Sequence, residues 1–197
     1  MRILVVGAGA TGGYFGGRLA EAGRDVTFLV RRTRAQTLRQ HGLQIISPCG
    51  DVVLRPALVE AGDLADHYDV ILLTVKAFSL AAAMEDIAPA VGPETAIVHL
   101  LNGMGHLARL RERFGAEAVM GGVCKIAATL DAQGALCILP RRTSYFTANW
   151  TIAAPRGWRV SMRHCATPFL TPAPCRRSPP RCGKSGYYFR AWAALLA

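Results

Sequence analysis

Near the start of the chain, Gly7, Ala8, Gly9, Ala10, Thr11 and Gly12 form a G-x-G-x-x-G run directly after the apolar stretch Ile3–Val6. In that context each glycine has a use. Gly7 permits a tight turn, Gly9 lets the backbone approach a diphosphate, and Gly12 lets a helix pack close on a strand. The helix that opens here would offer free N–H groups and a partial positive charge to phosphate oxygens. The plain alternative is a glycine-rich turn without a ligand. A second signal lies about twenty residues on, where NAD sites carry an acid that bonds the ribose 2′-hydroxyl. Here the run Asp25–Val30 leads into Arg31 and Arg32. A carboxylate would repel a 2′-phosphate, whereas a guanidinium takes one with two parallel charge-assisted bonds. Arg31 is the first choice for that role and Arg32 the second, so the expected cofactor is NADP(H) rather than NAD.

Lys76 follows Leu-Leu-Thr-Val, and Asn102 follows Ile-Val-His-Leu-Leu. Ligands of open α/β sheets bind beyond the carboxyl ends of the strands. Both residues are therefore expected at the same crevice as the glycine run, as candidate catalytic and cofactor-binding groups. A lysine there can bond a ribose hydroxyl or a substrate carboxylate. An asparagine can donate to a carbonyl or to the cofactor. Taken singly, each is more often an ordinary helix-start residue; together, at equivalent positions in successive β-α units, they point toward function. Asn102-Gly-Met-Gly105 adds a turn that lets a ligand come close.

Positioning these groups requires alternating strands and helices. Strands are expected at 2–6, 25–30, 69–75, 96–100 and 119–123, each a short apolar, β-branched-rich run. Helices are expected at 10–22, stopped by Gly23, at 33–40 with Thr33 as cap, at 78–87 ended by Pro89, and at 107–114. Two hairpins are expected, 43–46 with 52–54 and 126–130 with 135–139. The pattern implies an α/β fold, a Rossmann-type doubly wound and mainly parallel sheet, over residues 1–139.

The formal charge of +10 is confined to one end. All 13 acidic residues lie at or before Asp131, where they balance the basic residues of the same segment. The surplus falls in residues 132–197, so it says nothing about the ligand of the front segment. Residues 140–197 also hold all 3 tryptophans and most of the prolines, with no helical or strand period over 141–186 and only a weak helical pattern at 187–197. They are expected to form an irregular basic tail. It mixes arginine with aromatics but carries no recognised nucleic-acid motif, and nucleic acid is not expected as a partner. No apolar run is long enough for a membrane span, and no signal peptide is read, so a soluble cytoplasmic protein is expected. The 6 cysteines, Cys49, Cys124, Cys137, Cys165, Cys175 and Cys182, form no C-x-x-C pair, and no metal site is expected.

The joint pattern resembles a named family. Gly7-Ala-Gly-Ala-Thr-Gly-Gly-Tyr-Phe-Gly16, Arg31, Val75-Lys-Ala-Phe78, Leu101-Asn-Gly-Met-Gly105 and Gly121-Gly-Val-Cys-Lys-Ile-Ala-Ala128 together resemble ketopantoate reductase (2-dehydropantoate 2-reductase) over about residues 1–139. The resemblance implies NADPH-dependent reduction of 2-dehydropantoate or a related 2-keto acid, on the route to coenzyme A. It implies that Gly7 to Gly12 hold the pyrophosphate and Arg31 the 2′-phosphate. Lys76 and Asn102 would line the nicotinamide and substrate side, with Ala128 close to the cofactor.

One part of the family pattern is missing. The family's second, helical domain supplies a proton-donating lysine and a substrate-binding glutamate. After Leu139 this sequence has no carboxylate, and its one lysine, Lys184, sits in a proline-, arginine- and serine-rich setting. Trp192 matches that domain's helix only faintly. Residues 140–197 therefore read as a remnant or frame-shifted second domain. The expected alternative to a working reductase is an NADP-binding domain without turnover.

Overall fold

The computed structural model describes residues 1–47, 50–138 and 145–149. Its main element is a seven-stranded sheet. The strands at its centre are β1 (Arg2–Val6), β2 (Asp25–Leu29), β6 (Tyr68–Leu73) and β7 (Val91–His99). They are flanked by β5 (Ala57–Val59) beside β2 and by β8 (Val119–Lys125) and β11 (Tyr145–Asn149) beside β7. The order is β11-β8-β7-β6-β1-β2-β5, and every neighbouring pair is parallel except β8 with β11. Leaving β11 aside, the chain starts in the middle, winds to one edge and returns to wind to the other. That is the strand order of dinucleotide-binding folds, with its reversal between β1 and β6.

Both faces of this sheet are covered, which is why its strands read as continuous apolar runs rather than alternating ones. Along β1, Ile3 and Val5 join a core on one face, together with Phe15, Leu19 and Phe28. Leu4 and Val6 join a separate core on the other face, built with α3 (Leu80–Ile87) and α4 (Gly105–Phe114) through Leu80, Met84, Ile87 and Leu110. Side chains this size contribute about 1.5–3 kcal/mol each when fully buried. These cores therefore hold the strand ends in register.

A second sheet of four strands has the order β4-β3-β10-β9. It comprises β3 (Leu43–Ile46), β4 (Val52–Leu54), β9 (Ala128–Leu130) and β10 (Leu136–Ile138). Both expected hairpins are present as antiparallel pairs, and β10 also pairs parallel with β3, which joins them. Helix α1 (Ala10–Glu21) lies between the two sheets. Its glycines make this possible. A Cβ on Gly16 would sit 2.7 Å from Phe28 and 2.8 Å from Val5, on the main-sheet side. A Cβ on Gly17 would sit 2.6 Å from Ile45, and one on Gly13 would sit 3.0 Å from Leu136, on the small-sheet side. Buried Arg18 ties the same helix to the loop after β3, through Ser47 Oγ at 2.6 Å and the Gly50 carbonyl at 2.8 Å.

Several expected boundaries shift. Helix α2 spans Arg32–His41, so Arg31 rather than Thr33 occupies its N-cap position. The helix expected at 78–87 divides into a 3-10 turn, Ala77–Ser79, followed by α3. Strand β7 begins at Val91 instead of 96, because Gly92 and Pro93 lie at its entering end and obscure the apolar pattern. Strand β5 is not among the expected elements. It is three residues long and follows Pro56, too short for a period to show. Strand β11 lies within the stretch read as irregular. The rest of that stretch, with Lys184, Trp192, Cys165, Cys175 and Cys182, lies outside the described residues, as does Cys49. Cys124 and Cys137 are free thiols. No helix among the described residues is long and apolar enough to cross a membrane.

Candidate functional site

The glycine run is the bend between β1 and α1. Gly7 adopts φ +96°, a conformation that side chains disfavour. Its N–H donates to the Leu29 carbonyl at 2.9 Å, so β2 holds the turn from one side. From the other side, the Thr74 hydroxyl just past β6 donates to the Val6 carbonyl at 2.7 Å and lies 3.1 Å from the Gly7 carbonyl. A Cβ on Gly12 would collide with both the Gly7 carbonyl oxygen and the Thr74 hydroxyl. Glycine is therefore required there for helix and strand to approach. At Gly9 the situation is reversed, for a Cβ there would meet nothing among the described residues within 4 Å. Gly9 is exposed and caps α1 without a side-chain hydrogen bond, and the first turn of α1 holds no acid. Ala10, Thr11 and Gly12 carry the amides that a helix start leaves without an intrahelical partner. Those are the features a diphosphate needs. Ala8 is buried and supports the bend from beneath.

Arg31 lies just past the end of β2 and is exposed. Its guanidinium reaches across the sheet's end to donate to Ser79 Oγ at 3.3 Å. Arg32, also exposed, starts α2. Lys76 follows β6 and caps the 3-10 turn, with its Nζ 6.0 Å from the centre of the Phe78 ring. Asn102 follows β7 in an exposed loop whose Gly103 has φ +88°. Because β1, β2, β6 and β7 are mutually parallel, Gly7, Arg31, Lys76 and Asn102 all follow the carboxyl ends of adjacent strands. The sheet thus gathers them at one edge, as the sequence pattern implied. Ala128 begins β9 in the other sheet, half-buried against the α1 core. Phe78 and Met104 stand 84% and 71% exposed at the same edge, so an apolar rim borders the polar groups.

Sequence reasoning passes over three residues here. Thr74 is hidden inside an apolar run, although a lone hydroxyl at a strand end is a signal. Arg34 reads only as part of a basic turn, yet its Nε donates to the Ala8 carbonyl at 3.1 Å. His99, at the end of β7, is 4% exposed and bonds His106 of α4 through Nδ1 and Nε2 at 2.9 Å. Burial, then the neighbouring His106 and Arg111, push the His99 pKa down to about 4.

The strand order and the glycine bend define a Rossmann-type α/β domain. The profile of the ketopantoate reductase PanE/ApbA family matches residues 3–147, and the chain belongs to that family. The match runs past Leu139 into β11. An uncharacterised oxidoreductase of Bacillus subtilis, YkpB, is 46% identical over 134 residues, covering 68% of this chain and 44% of that protein. A 2-dehydropantoate 2-reductase of Mesorhizobium japonicum is 32% identical over 157 residues, covering 68% and 48%. Among solved structures, 2-dehydropantoate 2-reductase of Geobacter metallireducens superposes with a TM-score of 0.69 at 33% identity, covering 76% of this chain and 49% of that one. A D-mandelate dehydrogenase solved with NADH and anilino(oxo)acetate superposes with a TM-score of 0.66 at 28% identity, covering 71% and 46%. This chain thus spans about half the length of the relatives it matches.

Proposed function

We propose that residues 1–139 are the NADPH-binding half of a reductase acting on 2-dehydropantoate or a related 2-keto acid. The observation that carries this is the uncrowded Cβ position of exposed Gly9 among the described residues, at the start of α1, with Arg31 exposed past the end of the neighbouring strand. The residues present fit the cofactor. Gly7 to Gly12 would hold the diphosphate, and Arg31 the 2′-phosphate, with Arg32 as its neighbour. Asn102 and Lys76 would line the nicotinamide and substrate side, and Ala128 would close it from the small sheet. Selection of NADPH over NADH rests on Arg31 standing where an acid would be needed for a free 2′-hydroxyl.

When bound, NADPH supplies a hydride to the carbonyl carbon of the keto acid. The chain's own part is to orient that ketone and to provide a proton as the alkoxide forms. Lys76 offers an ammonium at this edge, suited to a substrate carboxylate or alkoxide. Asn102 offers an amide N–H to the carbonyl oxygen. We assign the protein to the cytoplasm, where thiols such as Cys124 and Cys137 stay reduced. Its place would be in pantothenate and coenzyme A synthesis.

A second reading is favoured by the absence of acids after Asp131 and by Lys184 as the one lysine after Leu139. In it, residues 140–197 are a remnant or frame-shifted second domain, and the chain binds NADPH without turning over. Fluorescence titration with NADPH tests the binding that both readings share. NADPH oxidation in the presence of 2-dehydropantoate separates them. Tight binding without oxidation selects the second reading, and no binding of either dinucleotide removes both.

A further inference from the structure

Arg34 is a half-buried cation without a counter-charge. Among the described residues no ion pair involves it. Its Nε donates to the Ala8 carbonyl at 3.1 Å and its Nη1 to the Gly134 carbonyl at 3.0 Å. Its remaining nitrogen, Nη2, is buried with no partner among the described residues. Burial disfavours the charged form and lowers its pKa. Such an arrangement costs stability, which the two carbonyl contacts offset only in part.

The anchor at Gly134 is itself stiff. Asp131 Oδ1 accepts from the Gln133 N–H at 2.9 Å and from the Ala135 N–H at 2.8 Å, closing the turn between β9 and β10. Gly134 has φ +84°, and a Cβ there would sit 2.6 Å from Arg34 Nη1. The guanidinium therefore spans a fixed point in the small sheet and a peptide in the phosphate loop. In a trans peptide the C=O and the following N–H point in opposite directions. With the Ala8 C=O drawn toward Arg34, the Gly9 N–H is directed the other way. Gly9 is the residue whose Cβ position faces open space.

We propose that Arg34 is a positioning residue for the diphosphate. By holding the Ala8 carbonyl against the Gly134 anchor, it sets the Ala8–Gly9 peptide plane so that the Gly9 N–H presents to a phosphate oxygen. It also keeps the negative end of the Ala8 dipole away from that phosphate. The inference rests on the dinucleotide reading above and deepens it. It assigns Arg34 a task distinct from that of Arg31, because the diphosphate is common to NADPH and NADH while the 2′-phosphate is not.

The test is titration of the full chain and its Arg34→Met, Arg34→Lys and Gly134→Ala variants with NADPH and with NADH, each variant first checked for folding by circular dichroism. Arg34→Met is expected to weaken both dinucleotides roughly tenfold, leaving their ratio unchanged, as loss of one charge-assisted contact to the loop implies. Arg34→Lys keeps the charge but lacks the two-pronged fork, and is expected to recover little. Gly134→Ala keeps the arginine but displaces it, and should act in the same direction. In the unliganded Arg34→Met protein the Gly9 amide resonance should move, which a loss of stability alone would not cause. Affinities within about twofold of the parent, a loss confined to NADPH, or full recovery with lysine would each overturn the proposal. If the parent chain itself binds neither dinucleotide, the cofactor reading fails, a different result from tight parental binding that the variants leave intact.

Discussion

Acid should destabilise this fold through the His99–His106 pair before its carboxylates are neutralised. The two rings meet edge to face with centres 4.4 Å apart, and one must donate and the other accept across the 2.9 Å bond. His99 Nε2 is buried without a partner among the described residues, so a proton added there finds no acceptor among them. Folding holds the His99 pKa at about 4, against an ordinary 6.5. The folded pKa is the lower one, so the unfolded chain binds the proton first. The contribution is intact above pH 6.5 and is lost as pH falls toward 4. A tenfold difference in proton affinity between the folded and unfolded chain is worth about 1.4 kcal/mol, which puts the loss between about pH 7 and pH 5 at about 2 kcal/mol. Burial lowers the His106 pKa as well and adds in the same sense. The assay is urea denaturation at both pH values, for the parent and for a His99→Leu, His106→Leu double variant. Carboxylate titration is common to the two proteins, so it cancels in the difference. The parent should lose at least about 2 kcal/mol more than the variant over that interval. Equal losses would show that the rings take up protons freely in the folded state, and the reasoning from burial would be wrong.

Gly12→Ala should cost about 3 kcal/mol in denaturant stability, because the new methyl overlaps the Gly7 carbonyl and the Thr74 hydroxyl. Gly9→Ala should behave oppositely. It should cost less than about 1 kcal/mol in stability, yet weaken NADPH at least about tenfold by titration, since its methyl fills the space a diphosphate would take. Arg31→Met should weaken NADPH by about tenfold or more and leave NADH unchanged, as measured by fluorescence. Thr74→Val should lower stability by about 1–2 kcal/mol in urea, because the Val6 carbonyl loses the hydroxyl that bonds it.

The elements carrying the site were legible because each announces itself locally. Ile3–Val6 is apolar on both faces, Gly7 to Gly12 breaks it with a recognisable spacing, and Gly23 stops the helix at φ +78°. Arg31, Lys76 and Asn102 could be placed at one edge because parallel strands end on the same side. What escaped was set by distant partners. Nothing near Arg34 reveals that Gly134 waits a hundred residues away. The parallel pairing of β3 with β10 likewise joins two hairpins that each look complete alone. Strand β5 has three residues and takes its identity from β2, not from its own pattern.

That pairing of β3 with β10 has a consequence for synthesis. The side of α1 bearing Gly13 and Gly17 is roofed by residues from both ends of the described fold, Ile45 early and Leu136 late. A chain still attached to the ribosome can assemble the inner strands of the large sheet, but that helix stays half uncovered until Leu136 has left the exit tunnel. Over that interval the Gly13 side of the helix lacks the Leu136 side chain that covers it in the finished fold.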